Sequence, residues 1–404
     1  MRMLAALTPG SAALAAGQSL ARIRLHGLEA AVALVEQPDA DFDAGDAAHA
    51  ESVLVEVAAF SCNYRERARI LKVASAGARL GFIALGSEFA GTVIKVGPGV
   101  HRVKPGDRVC GDGSVEPGIG GHPGLSTQKA SARLQVHHQD KLCRLPQGLP
   151  LATAAAFSVG AQTAYSMVNR LRVPATAHVA VTAAMSNTSL FALKALIARG
   201  HDRRCLHALT TSPAVVAHLA AMGIERVCLL PRDAGYAAAL RDYLQARRIS
   251  GFDAVIDPFM DIYLRKLLPH LQRYGQYMSC GIAEQHDQTQ ADSFLHLGLG
   301  IGEVFSLILR KSVSLVGNNL GTSADLAAAL DDFAAGRLTV DLAGVIEDGD
   351  VQRFVDLSFG RGGGIGKVVF VHPPAGPQAA ERLRQTGAAL DPGASADRSI
   401  PEPA

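Results

Sequence analysis

The chain reads as an α/β protein in two parts, a small irregular β-barrel and a doubly wound parallel sheet. Three observations predict this. Residues 178–182 form a short apolar, β-branched run, the pattern of a strand buried on both faces. A bend of small residues follows, then apolar positions at helical spacing (Leu190, Leu193, Ile197) up to Gly200, then a second apolar run at 205–209. Short apolar runs go on alternating with helical segments to about residue 320, whereas the first 150 residues hold β-rich segments punctuated by Gly and Pro.

In chain order, residues 21–36 alternate loosely and predict an opening hairpin, and 37–50 are an acidic, polar loop. Residues 52–59, SVLVEVAA, alternate cleanly and predict a strand. It runs into Ser61-Cys62-Asn63-Tyr64-Arg65-Glu66 and a short basic helical stretch. Residues 82–100 and 101–109 are the punctuated barrel segments, and the glycine-rich 111–126 is a loop beside a cleft. Residues 151–168, starting near Pro150, predict one helix carrying Gln162, Thr163, Ala164 and Tyr165. Strands are expected at 226–230, 254–256, 277–280 and 312–316, with helices near 214–222, 234–247, 261–273 and 324–335. Residues 367–371 predict a strand that returns to the first part, and 373–404 a mobile tail rich in Pro, Ala and Gly. The expected division is 1–160, 161–320, a return segment 321–373 and the tail 374–404. No internal repeat is present.

Composition narrows the function classes. The 404 residues, 48% of them hydrophobic, are enough to bury more than one core. A net charge of +2 with scattered cations gives no footprint for nucleic acid or an anionic membrane. With no Trp and 5% aromatic residues, a stacking surface for single strands is not expected. The six cysteines are widely spaced without a CxxC pair and read as thiols of a reducing compartment. The N-terminus superficially resembles a signal peptide, but Pro9-Gly10 breaks its apolar stretch, so a cytoplasmic protein is expected, without a membrane span.

The bend Ala183-Ala184-Met185-Ser186-Asn187-Thr188-Ser189 is where a dinucleotide-binding unit turns a helix N-terminus toward a pyrophosphate. The usual glycines are missing. Ala and Ser still permit close approach, Ser186 to Ser189 supply capping groups, and Asn187 is the residue expected to accept positive φ. The next strand closes on Thr210-Thr211-Ser212, neutral donors rather than the acid that would repel a 2′-phosphate, so NADP is expected over NAD. Arg203, Arg204 and Arg232 are candidate cations for that phosphate. The expected cofactor contacts are Thr163, Ala183, Met185, Ser186, Asn187, Thr188, Thr210, Thr211, Ser212, Cys280, Gly281 and Lys367.

Over residues 20–372 the chain resembles the medium-chain dehydrogenase/reductase superfamily. The resemblance rests on Cys62-Asn63-Tyr64-Arg65, Gly86-Ser87-Glu88-Phe89-Ala90-Gly91, and Val96-Gly97 through Lys104-Pro105-Gly106-Asp107-Arg108-Val109. Gln162-Thr163-Ala164-Tyr165, Phe252-Asp253-Ala254-Val255-Ile256-Asp257 and Gly366-Lys367-Val368-Val369 continue it in the same order. It implies a split GroES-like catalytic domain around a Rossmann domain, an active site in the cleft between them, and homodimers or homotetramers. The 183–189 spacing looks like the quinone-oxidoreductase and enoyl-reductase branch. Zinc-dependent members carry Gly-His-Glu where this chain has Gly86-Ser87-Glu88, and their cysteine-rich zinc lobe has no counterpart here. A catalytic zinc needs three protein ligands, and Cys62 and Glu88 supply at most two, so no metal is expected.

Without a Lewis acid, hydride transfer needs an acceptor that is already electrophilic, such as a conjugated carbonyl, an enoyl system or a quinone. The sequence therefore predicts an NADPH-dependent reductase of an activated C=C or quinone-like small molecule. Tyr64 is the candidate proton donor, with a tyrosine packing the cleft wall as the alternative. Asn63 resembles the residue beside the nicotinamide ribose; Thr163 either contacts nicotinamide or satisfies its own helix. Arg65 is expected to hold an anionic substrate or to form a solvated pair with Glu66. Glu88 is expected to orient its neighbours or pair with a base, and His137 and His138 to face opposite ways. The other readings are a cofactor-free scaffold with a degenerate nucleotide site and a zinc-dependent alcohol dehydrogenase with unusual ligands.

Overall fold

The structure is a computed structural model and describes residues 1–14, 20–117, 122–232, 235–283, 300–360 and 364–373. The expected tail at 374–404 lies outside the described residues, as do residues 284–299 of the stretch 284–305, which the sequence leads one to expect, with the 111–126 loop, around the substrate pocket.

The first lobe begins with β1 (Arg2–Leu7), α1 (Pro9–Leu14), β2 (Leu20–Leu25) and β3 (Leu28–Glu36). His26 and Gly27 join β2 to β3 with φ of 47° and 83°, the two positive values a two-residue hairpin turn demands. β4 (Ser52–Ser61), α2 (Arg65–Ala74), β5 (Phe82–Ala84), β6 (Glu88–Val96), β7 (Arg108–Gly111), β8 (Leu134–His138) and β9 (Leu142–Arg144) follow. The N-terminal stretch forms a strand that its sequence pattern did not predict: β1 pairs with β3 and β5, and its Leu4 and Ala5 are fully buried. Where one helix was predicted there are two, α3 (Leu151–Ala154) and α4 (Ser158–Arg170), separated by the buried Ala155-Ala156-Phe157.

The second lobe contains β10 (Val179–Val181), α5 (Asn187–Ala198), β11 (Leu206–Thr210), α6 (Val216–Ala221), β12 (Val227–Leu229) and α7 (Tyr236–Arg247). β13 (Phe252–Asp257), α8 (Met260–Leu267), β14 (Leu271–Ser279), α9 (Ile301–Lys311), β15 (Ser314–Gly317) and α10 (Ser323–Ala334) complete it. The six strands lie in the order β12-β11-β10-β13-β14-β15, every pair parallel. Parallel strands need helical crossovers, which bury both faces; hence Val179, Ala180 and Val181 are all at 0% exposure. The predicted helix at 261–273 is shorter than expected, because β14 already begins at Leu271.

The chain then returns through β16 (Leu342–Ile346), α11 (Val351–Phe359) and β17 (Lys367–Val371). β17 is antiparallel to β4 in a seven-stranded barrel sheet, while β2, β3, β1 and β5 form a separate four-stranded sheet beside it. β16 and α11 had no clear pattern in the sequence, since all but Ile346 of β16 is only half-buried.

Candidate active site

Sheet register assembles the barrel side of the site. β4 pairs antiparallel with β6 at Ser61 and Glu88, and with β17 at Ser61 and Val369. Continuing that second register sets Lys367 opposite Asn63. The Lys367 ammonium lies 2.7 Å from Glu88 Oε1 and donates to Asn63 Oδ1. Ser61 Oγ donates to Glu88 Oε1 at 2.9 Å, and the Val159 amide, in the first turn of α4, donates to Oε2 at 3.0 Å. Asn63 Nδ2 donates to Ser87 Oγ at 2.9 Å and reaches Glu88 Oε1 at 3.2 Å. Both ends of the Asn63 amide are thus committed inside the protein.

Glu66 was expected in a solvated pair with Arg65; the structure overturns this. Its side chain is at 0% exposure and accepts the Asn63 amide at 2.6 Å and Ser87 Oγ at 3.1 Å, while Oε1 has no partner. Burial pushes its carboxyl up from the usual range, against the pull of nearby Arg65. Burial likewise raises the Cys62 thiol well above its ordinary value, so Cys62 is an un-ionised core thiol. His137 and His138 do face opposite ways: His137 stacks on Phe89 at 4.9 Å, and His138 meets Glu51 at 3.1 Å.

These residues do not fit a zinc ion. Ser87 spends its hydroxyl on Glu66, and the cation at Glu88 is already Lys367. No three His, Cys, Asp or Glu side chains stand together as a ligand set among the described residues.

On the nucleotide side, the bend after β10, Thr210–Ser212, Asp257–Phe259 and Ser279–Gly281 gather where the parallel strands end. That edge is where an open α/β sheet binds its ligand. The residue that takes positive φ in the bend is Ala183, at 46°, not Asn187. Asn187 is instead the first residue of α5, and its amide donates to the Ala156 carbonyl at 2.9 Å. Ser186 caps α5 by accepting from the Ser189 amide at 3.2 Å, and Ser189 Oγ donates back to the Thr182 carbonyl at 2.7 Å. Gly160 explains how closely α4 approaches: a Cβ there would come within 2.6 Å of the Asn187 amide nitrogen. The bend faces the other lobe, since the Gly366 amide donates to the Met185 carbonyl at 3.0 Å. Thr188 is half-buried beside it, and Thr163 is a buried residue of α4.

Thr210 and Ser212, both expected to contact the cofactor, have hydroxyls engaged within their own turn. Thr210 Oγ1 accepts the Ser212 amide at 3.1 Å, and Ser212 Oγ accepts the Ala214 amide at 3.3 Å, so both hydroxyls help build their own turn; Thr211 is exposed. Arg203 and Arg204 precede β11 and lie at its opposite end, with Arg204 paired to Asp202 at 2.8 Å. Arg232 lies at the same end of the sheet as Thr210, two residues beyond Leu230, whose amide donates to the Thr210 carbonyl at 2.8 Å. Cys280 and Gly281 close β14, with Gly281 packed so that a Cβ would meet the Pro258 carbonyl at 2.6 Å.

The two sides meet at Tyr64. Its ring is edge-on to Phe259 at 4.9 Å, and 39% of the residue remains exposed. Sequence reasoning missed Phe259, and it missed Asp257, which closes the FDAVID run. Asp257 accepts Thr182 Oγ1 at 2.6 Å and the Phe259 amide at 2.9 Å, and burial pushes its carboxyl up to about 6.

The pattern of the alcohol dehydrogenase GroES-like domain matches residues 49–172. A trans-enoyl reductase, grgB, of a Penicillium species is 35% identical over 113 residues, covering 28% of this chain and 29% of that protein. Quinone oxidoreductase-like protein 2 of Mus musculus is 33% identical over 130 residues, covering 30% of this chain and 33% of that protein. The matched stretches thus span about a third or less of these relatives' lengths. Among solved structures, the 2-octenoyl-CoA carboxylase reductase CinF in complex with NADP and 2-octenoyl-CoA superposes with a TM-score of 0.66 at 18% identity, covering 95% of this chain and 91% of that one. At that identity the superposition speaks for the fold: a split barrel wrapped around a six-stranded parallel sheet. Together with the site motifs in register, these likenesses support a relationship to the medium-chain dehydrogenase/reductase superfamily.

Proposed function

We propose that the protein is a zinc-independent, NADPH-dependent reductase that saturates an activated C=C, or reduces a quinone-like acceptor, in a small molecule. The observation that carries this reading is the buried Lys367–Glu88 pair, tied to Asn63, at the position where zinc-dependent relatives gather ligands. A site whose fixed charges are already neutralised has no call for a Lewis acid and suits an acceptor polarised by its own conjugation. The named activities of the similar trans-enoyl reductase and quinone oxidoreductase-like protein are of this kind.

When bound, the dinucleotide supplies the hydride. The bend at Ala183–Thr188 and the N-terminal turn of α5 would hold its pyrophosphate, and Thr211 with Arg232 its 2′-phosphate. Tyr64, on the opposite lobe, holds the proton that the reduced carbon skeleton needs. The protein is proposed to be cytoplasmic and to work as a homo-oligomer.

The test follows NADPH absorbance with 2-enoyl thioesters, enones and quinones, alongside metal analysis and calorimetric titration with NADPH and NADH. NADPH consumption matched by saturated product, undiminished by a chelator, is the expected result. Stoichiometric zinc whose removal abolishes turnover would overturn the metal-free site. Binding of neither nucleotide would favour the cofactor-free scaffold.

A further inference from the structure

Tyr64 is not alone at the mouth of the cleft. Arg67, one turn along α2, donates from Nη1 to the Tyr64 hydroxyl, and its guanidinium carbon lies 5.3 Å from the centre of the Tyr64 ring. From its other terminal nitrogen, Nη2, it reaches His26 Nε2 at 2.7 Å. His26 sits on the β2–β3 hairpin turn at φ 47°, an element of the other barrel sheet. Arginine only donates, so His26 Nε2 is the acceptor in this contact.

We propose that Arg67, anchored by His26, is a positioning residue that fixes the Tyr64 hydroxyl and makes it a stronger acid. This rests on the reading of Tyr64 as proton donor. A cation donating to a phenol oxygen stabilises the phenolate and so makes the phenol a stronger acid. In the step concerned, the Tyr64 O–H bond breaks and a C–H bond forms at the carbon bearing the enolate charge. The phenolate left behind is held by Arg67 and recovers a proton from water. The Phe259 edge fixes the ring from the other lobe. Of the carboxylates on either side of Phe259, Asp257 accepts from Thr182, Tyr277 and the Phe259 amide, and Asp261 accepts from the Ala283 amide at 2.8 Å.

Two measurements on the full-length protein test this. The chain has seven Tyr and no Trp, so the near-ultraviolet phenolate signal, wild type minus Tyr64→Phe, isolates one titration. Arg67→Met is expected to move that titration up by roughly one to two pH units, and Arg67→Lys to restore most of the shift. In turnover, Arg67→Met is expected to lower kcat about tenfold with KM little changed, and to carry the alkaline limb of kcat upward by the same interval. His26→Ala should give a smaller change of the same sign. If the Tyr64 titration does not move in Arg67→Met, the inference fails whatever the activity. If it moves but no acceptor is reduced, the contact stands and the reductase reading fails. Equal losses in Arg67→Met and Arg67→Lys with an unmoved pH limb would reduce Arg67 to a packing role and overturn the proposal.

Discussion

At the scale of single residues, strain and burial mark positions where a change has a calculable sign. Tyr274 holds φ of 64° with 72% of its surface exposed, so its side chain has little packing to lose. A Cβ in the left-handed region costs about 1–2 kcal/mol, and a glycine gives back up to ~1 kcal/mol of that through the freer unfolded chain. Tyr274→Gly should therefore stabilise the protein by about 0.5–1 kcal/mol in chemical denaturation; a loss of stability would show that the ring is anchored. Asp257 makes a different prediction. Burial raises its folded pKa to about 6, above its ordinary 3.8. The stabilisation from binding that proton is full below the unfolded value and is lost as pH rises through 6. Wild-type stability should thus fall by about 2 kcal/mol between pH 4 and pH 6 from this group, and by about 3 kcal/mol over its whole titration. In Asp257→Asn that part of the pH slope should vanish; an unchanged slope would assign it elsewhere.

At the scale of elements, the return strand β17 is held to the barrel by charge as well as by backbone pairing. The side chains of Lys367 and Glu88 are 9% and 0% exposed, and removing one member leaves the other charged and buried. Lys367→Met should cost about 3–5 kcal/mol, and the double variant Lys367→Met with Glu88→Gln should recover most of it. Simple additivity of the two single changes would mean that the pair is not coupled. This cluster shows where legibility in the sequence ends. The central strands were readable: SVLVEVAA alternates because one face of β4 is drier than the other, and Val179–Val181 is uniformly apolar because helices cover both faces. Which partner Glu88 would find was not readable, because Lys367 stands 279 positions further along the chain and only the β17–β4 register brings it there. The bend after β10 was legible as a strand-to-helix turn but not in its geometry. Expecting Asn to take the left-handed conformation follows its intrinsic preference, yet the tie from Asn187 to Ala156 holds that residue in the helix, and Ala183 takes the strain. The N-terminal strand was hidden for a related reason. Arg2 through Leu7 carries five buried residues in a row, and without knowledge of β3 and β5 on either side an unbroken apolar run looks like a leader.

At the scale of the molecule, the parallel sheet is asymmetric in what it leaves uncovered. β15 closes one end of the six strands, and its Ser314 and Gly317 are exposed while Leu315 and Val316 are half-buried. Beside it, α9 carries Phe305 at 56% exposure and Leu309 at 78%, one turn apart and so on one face. An open edge strand next to an apolar helix face invites a second chain, and two copies meeting edge to edge about a two-fold axis would cover both features at once. Placing charges on that face, as Phe305→Glu with Leu309→Lys, should convert a dimer to a monomer in analytical ultracentrifugation while NADPH binding persists. The same variant sedimenting as a dimer would move the interface off this edge.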